Sequence, residues 1–162
     1  KIENVITGDD MHSAVMHASM TADAIVMAAA VADYKPKSTQ ISKMKKSDDG
    51  SSPTIELVRT TDILADLVTH RNTAHPDQVI VGFAAETGDD HGSVLEHGMA
   101  KLQRKGCDLL IINEVRPNLA FGTDDNEVTI LTREPAAQAT VSRTSKTQIA
   151  HAIWDAVVAI KH

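Results

Sequence analysis

Three apolar runs of strand length, Ala24 to Val31 (AIVMAAAV), Val79 to Ala85 (VIVGFAA) and Asp108 to Asn113 (DLLIIN), alternate with segments of helical period. Continuous apolar runs suit strands covered on both faces, as in a parallel sheet between helices. Between Asp9 and Met20, the residues Met11, Ala14, Val15 and Ala18 share one helical face, with Asp9 or Asp10 as cap. Thr61 or Asp62 caps a second helix carrying Ile63, Leu64, Leu67 and Val68. Ser93 to Lys105 reads as a third helix. Ser145 caps a fourth, whose apolar positions are Ile149, Ile153, Trp154, Val157 and Ile160. Alternation of this kind predicts an α/β fold: a three-layer αβα, Rossmann-like, mainly parallel sheet. A small antiparallel edge is expected from Thr54 to Arg59, where Ile55 and Leu57 fall on one face, and a short strand from Glu127 to Leu131 after the turn-rich FGTDDN.

At 162 residues the chain is one domain, able to bury about 70% of its unfolded surface without disulfides. A composition 42% hydrophobic and 23% charged excludes a disordered chain, and no apolar run reaches the ~18 residues of a membrane span. The single cysteine, Cys107, precludes an intramolecular disulfide and points to a reducing, cytoplasmic compartment. It follows Gly106 directly before a buried strand, where a packed, inert thiol is expected. The opening Lys1-Ile2-Glu3-Asn4-Val5 lacks an initiator Met and a signal pattern, and reads as a strand at the start of a piece of a longer protein.

The net charge of −6 argues against a general nucleic-acid-binding field. Yet Lys35, Lys37, Lys43, Lys45 and Lys46 put five of the sixteen basic residues into twelve positions. They lie in a segment, Asp33 to Pro53, that reads as a long structureless loop. A lysine run is ordinarily a solvated loop or a nucleic-acid patch. With only four aromatics, Tyr34, Phe83, Phe121 and Trp154, the stacking platforms of RNA and single-strand binding are scarce, and a small polyanion such as a nucleoside triphosphate fits better.

In open α/β sheets ligands bind outside the carboxyl ends of the strands. The residues there are Ala28, Ala29 and Ala30, whose small side chains leave room against the backbone; Asp33; Phe83 to Glu86; and Asn113. Asp33 is open to two readings, a ligand for a ribose hydroxyl or metal and a turn cap. Lys43 could neutralise phosphates in a phosphoryl or nucleotidyl transfer. Lys101 and Lys105, four apart on one helix face, repel by roughly 0.2–0.5 kcal/mol unless an anion lies between them; two solvated lysines are the ordinary alternative. The eight histidines are scattered, and His91 and His97 with Asp89 and Asp90 make a poor metal site, so no metal ligands are assigned. GxSxG, P-loop and GxGxxG motifs are absent.

The motifs AAAVADYKP (Ala28 to Pro36), KMKK (Lys43 to Lys46), VGFAAET (Val81 to Thr87), KLQRKGCDLLIIN (Lys101 to Asn113) and SKT (Ser145 to Thr147) occur in order. Together they resemble bacterial phosphopantothenoylcysteine synthetase (phosphopantothenate–cysteine ligase), the carboxyl-terminal domain of the bifunctional coenzyme A biosynthesis flavoprotein. The resemblance covers nearly the whole chain, and implies that residues 1–162 form one such domain. It implies ligation of 4'-phosphopantothenate to cysteine, with CTP as cosubstrate, Mg²⁺ in support and an acyl-cytidylate intermediate. By motif position, Asp33 is similar to the family's nucleotide-binding aspartate and Lys43 to its catalytic, phosphate-binding lysine. Phe83, Ala84, Ala85 and Glu86, with Ala29, resemble the surroundings of base and ribose, and Lys101 and Lys105 the pair that closes on the nucleotide. A homodimer is implied, as is a flavin-dependent decarboxylase domain, fused or associated, which alone would carry FMN; nucleic acid and membrane are not expected partners. The family's Gly-rich first strand and its loop bearing a catalytic Asn precede the part matched here. The chain is therefore expected to lack its amino-terminal strand-helix segment, to expose apolar sheet surface, and to bind CTP while being catalytically deficient alone. The alternative is a non-catalytic CTP- or nucleotide-binding fragment that needs its missing amino-terminal segment or a partner.

Overall fold

The computed structural model describes residues 1–39, 52–86, 88, 90, 92–114 and 125–162. Helix α1 (Gly8–Ser19) leads to β1 (Ala24–Met27), and β2 (Tyr34–Pro36) pairs with β3 (Leu57–Arg59) in an antiparallel two-stranded arm. The chain continues as α2 (Ile63–Ala74), β4 (Val79–Glu86), α3 (Val94–Lys105), β5 (Leu109–Glu114), β6 (Asp125–Thr132), β7 (Ala137–Ser145) and α4 (Lys146–Lys161). The main sheet has the order β1-β4-β5-β6-β7, in which β1, β4 and β5 are mutually parallel and β6 is antiparallel to both its neighbours. Four of the five strands thus run one way, giving the α/β, Rossmann-like, mainly parallel sheet of the sequence reading.

Strand alternation creates two cores. Ile80 and Ala84 of β4, Leu110 and Ile112 of β5 and Leu131 of β6 pack with Ile63, Leu67 and Val68 of α2 and Leu102 of α3, and α1 adds Met11, Val15 and Met16. On the other face Val79, Val81, Leu109, Ile111, Val128 and Ile130 meet Ile149, Ile153 and Val157 of α4. Residues of opposite parity in β4 and β5 are buried on opposite faces, hence the continuous apolar runs.

Several expectations change. Among the described residues β1 is an edge strand, stops at Met27 and leaves Val26 36% exposed; Ala28 to Ala30 leave the sheet, consistent with the low strand propensity of Ala. Residues 1–6 form no strand, because they have no ladder partner, and Ile2 and Ile6 lie in solvent. The loop expected from Asp33 contains β2, and α1 is capped by Thr7, which exchanges hydrogen bonds with Asp10 in a capping box. Strand β7, unforeseen, has a nearly all-exposed pattern with little apolar signal. Trp154 is 50% exposed because the buried stripe of α4 runs through Ile149, Ile153 and Val157, about 100° away.

Candidate functional site

A cleft of about 610 Å³ opens at the carboxyl ends of β1 and β4, within the size range of small-molecule sites. Ala29, Ala30 and Asp33 line one side, Phe83, Ala84 and Ala85 the end of β4, and Lys101 and Lys105 the adjoining face of α3. Each position has a local cause. The apolar run of β4 ends at Glu86, placing Phe83 to Ala85 at the rim. Helix α3 starts at the Ser93–Glu96 capping box and ends at Gly106 in left-handed conformation (φ 70°), which fixes its register. It sits close to the sheet at Gly98, where a Cβ would overlap Ile112 Cδ1 and lie 3.2 Å from Leu131 Cδ1. With Leu102 buried beneath, Lys101 and Lys105 are delivered to the cleft wall.

Both lysines have carboxylate partners. Lys101 Nζ donates to Glu86 Oε1 at 2.8 Å, and Lys105 Nζ to Asp62 Oδ2. Asp62 also caps α2, accepting from the Ala65 amide at 3.2 Å. Burial acts to raise the Asp62 pKa, but the Lys105 and Ala65 hydrogen bonds and the Lys105 and Arg104 charges outweigh it and hold the carboxyl below its ordinary value. The side chains are partly exposed, so an incoming polyanion can compete for these lysines.

The arm forms another wall. Thr60 Oγ1 donates to Ala32 O at 2.5 Å and the Thr60 amide to Asp33 O at 2.9 Å, clamping the segment after β1 to the end of β3. Tyr34, Arg59, Thr60, Thr61, Asp62 and Ile63 therefore line the cleft, although the sequence reading assigns none of them to a site. The available signal was that β3 ends and α2 begins within three residues.

The cleft thus brings together Ala29, Asp33, Phe83, Ala84, Ala85, Lys101 and Lys105, with Glu86 joined through Lys101. Asn113, expected in the same crevice, does not line it: β5 stands one strand further from β1 than β4 does and meets the cleft at Leu110. Lys43, with Lys45, Lys46, Thr87, Asp89, His91 and Phe121, lies outside the described residues. Among the described residues no group of three His, Cys, Asp or Glu surrounds a common point. Cys107 is fully buried, and burial pushes its thiol pKa up, as suits an unreactive core side chain. No helix of the described residues is long and apolar enough to cross a membrane.

The model of the DNA/pantothenate metabolism flavoprotein C-terminal domain family matches residues 1–160. The coenzyme A biosynthesis bifunctional protein CoaBC of Mycobacterium tuberculosis (strain ATCC 25618 / H37Rv) is 44% identical over 162 residues, covering 98% of this chain and 38% of that protein. The protein of the same name from Bacillus subtilis (strain 168) is 42% identical over 127 residues, 77% of this chain and 29% of that one. The chain spans about two fifths or less of the length of these curated relatives. Among solved structures, the C-terminal domain of a coenzyme A biosynthesis bifunctional protein CoaBC superposes with a TM-score of 0.68 at 27% identity, over 94% of this chain and 62% of that one. A Cab2 variant in complex with phosphopantothenate-cysteine shares the fold, with a TM-score of 0.62 at 18% identity over 96% of this chain and 53% of that one.

Proposed function

The chain belongs to the DNA/pantothenate metabolism flavoprotein C-terminal domain family, and from that premise we propose that it is the nucleotide-binding part of a CTP-dependent phosphopantothenate–cysteine ligase in coenzyme A biosynthesis. One observation carries the reading: Asp33, Phe83, Lys101 and Lys105, dispersed in sequence, line one cleft at the strand carboxyl ends. The 4'-phosphopantothenate carboxylate attacks the CTP α-phosphorus, a P–O bond breaks, and acyl-cytidylate and pyrophosphate result. The cysteine amine then attacks the acyl carbonyl, loses a proton and expels CMP. Both substrates of the first step are anions, so the cations near the cleft lower the cost of their approach and stabilise charge on the transferring phosphoryl.

Within this reading Asp33 holds the ribose, Phe83 to Ala85 with Ala29 shape the base and ribose pocket, and Lys101 and Lys105 release their carboxylates to take phosphates. Lys43 is the catalytic, phosphate-binding lysine. The cleft suits Mg²⁺ bound as its triphosphate complex, since such an ion takes most of its ligands from phosphate oxygens and water and needs no dedicated protein cage. The ion would supply charge neutralisation. FMN belongs to a decarboxylase portion of the bifunctional protein, and the ligase acts as a cytoplasmic homodimer.

The test is pyrophosphate release from CTP in the presence of 4'-phosphopantothenate, cysteine and Mg²⁺. Pyrophosphate release that requires both CTP and 4'-phosphopantothenate, with the cysteine-ligated product, is expected of the protein that carries this domain. CTP binding with neither product would leave a nucleotide-binding module and sink the ligase reading.

A further inference from the structure

The described charges lining the cleft are Asp33, Arg59, Asp62, Lys101 and Lys105. Lys105 is committed to Asp62, and Lys101 to Glu86. Arg59 differs: among the described residues no carboxylate meets its guanidinium, and it is exposed at the cleft. Its backbone is held on both sides, because Arg59 is opposite Tyr34 in the β2–β3 register and the next residue, Thr60, bonds to Ala32 and Asp33. A cation with a fixed base and no carboxylate partner among the described residues meets an anion without first breaking an ion pair to any of them. Its planar fork of donors matches two oxygens of one phosphoryl group, which a lysine ammonium cannot do.

We propose that Arg59 is a ligand-binding residue of the cleft that takes a phosphoryl group of the bound substrate in a bidentate contact. The inference rests on the nucleotide reading of the cleft and adds to it a residue on the arm. Two substrates carry such a group, the triphosphate of CTP and the phosphate of 4'-phosphopantothenate. In both, Arg59 would supply affinity that a phosphate-free analogue cannot use.

The test is calorimetric titration of wild type, Arg59→Ala and Arg59→Lys with CTP and Mg²⁺, with cytidine, and with 4'-phosphopantothenate. Thermal melting of each variant accompanies the titrations. Because Arg59 is exposed, both variants should melt as wild type does. Arg59→Ala is expected to weaken one phosphorylated ligand roughly 10- to 100-fold. Cytidine binding should be unchanged, and Arg59→Lys should recover only part of the loss. Which ligand responds identifies the phosphoryl source. A folded Arg59→Ala that binds both phosphorylated ligands like wild type overturns the assignment, as does an equal loss for cytidine. Wild type that binds neither phosphorylated ligand would instead remove the nucleotide reading itself, and Arg59's role with it.

Discussion

Lys101 Nζ lies 2.8 Å from Glu86 Oε1, so α3 is tied to the end of β4 by an ion pair at the edge of the cleft. The two side chains are 29% and 19% exposed, which places the pair between a solvated surface contact and a buried one. A double-mutant cycle with Lys101→Gln and Glu86→Gln should give a coupling in folding free energy of about 0.5–1 kcal/mol. Lys101→Gln should also weaken CTP binding by about tenfold, or ~1.4 kcal/mol. Urea unfolding and calorimetry read the two effects separately; unchanged CTP affinity would confine Lys101 to a structural role.

Gly98 lets α3 approach the sheet. Gly98→Ala puts a methyl group into Ile112 Cδ1, 3.2 Å from Leu131 Cδ1, so helix or side chains must shift. Overpacking of this kind costs about 1–3 kcal/mol, outweighing the helix-propensity gain of up to about 1 kcal/mol. Chemical denaturation should show a net loss, and Lys101 and Lys105, carried on the same helix, should lose CTP affinity with it.

At the opposite end of the strands Arg71, which is 5% exposed, donates to Asp108 Oδ2 and, at 3.0 Å, to Gly106 O. Asp108 also accepts from the Ile80 amide at 2.8 Å and from Arg133 at 3.1 Å. Arg71→Ala removes one partner and leaves the Asp108 carboxylate under-compensated in a buried setting, a loss of about 3–5 kcal/mol. A midpoint shift of that size in urea is expected; a shift below 1 kcal/mol on the same scale would mean that water replaces the guanidinium.

Acid should destabilise the fold through carboxyls whose pKa values are lowered. Asp10 is held down by the Thr7 side-chain and backbone hydrogen bonds, Asp23 by Lys161, and Glu96 by Ser93. At Asp62 the partners outweigh burial. Free Asp and Glu titrate near 3.9 and 4.3, so below about pH 4.5 the unfolded chain takes up protons that the native state still refuses. The contribution of these groups is full above that pH and is lost as the pH falls through the lowered native values. The melting temperature should be flat in this respect from pH 6 to 5 and drop toward pH 3; a rise toward pH 3 would reverse the assigned direction.

Strands β4 and β5 and helix α3 were legible because their signals are local: unbroken apolar runs, and a Ser93–Glu96 box closed by Gly106. Strand β7 was not, since AQATVSRTS is nearly all exposed and, among the described residues, pairs only with β6. The extent of β1 was overread because Ala28 to Ala30 are apolar in composition yet leave the sheet. In the cleft, spacing put Phe83 to Ala85 at a strand end and Lys101 and Lys105 on one face of α3. Asn113, expected from the same strand-end rule, lies outside it, and the resemblance rather than spacing made the two lysines ligand contacts. The ion pairs of these lysines did not follow from spacing, because Lys105 and Asp62 are 43 positions apart and Lys101 and Glu86 are 15 apart, and only the packing of α3 beside α2 and β4 makes them neighbours. The arm was read as an edge, and its role as a cleft wall depends on the Thr60 contacts to Ala32 and Asp33.

The central claim is that this chain carries a nucleotide site, and calorimetric titration with CTP and Mg²⁺ tests it most directly, with ATP as control and Lys43→Gln beside wild type. The account predicts saturable CTP binding, weaker for ATP and weakened by the substitution. A chain that melts cooperatively yet gives no heat with either nucleotide would contradict it.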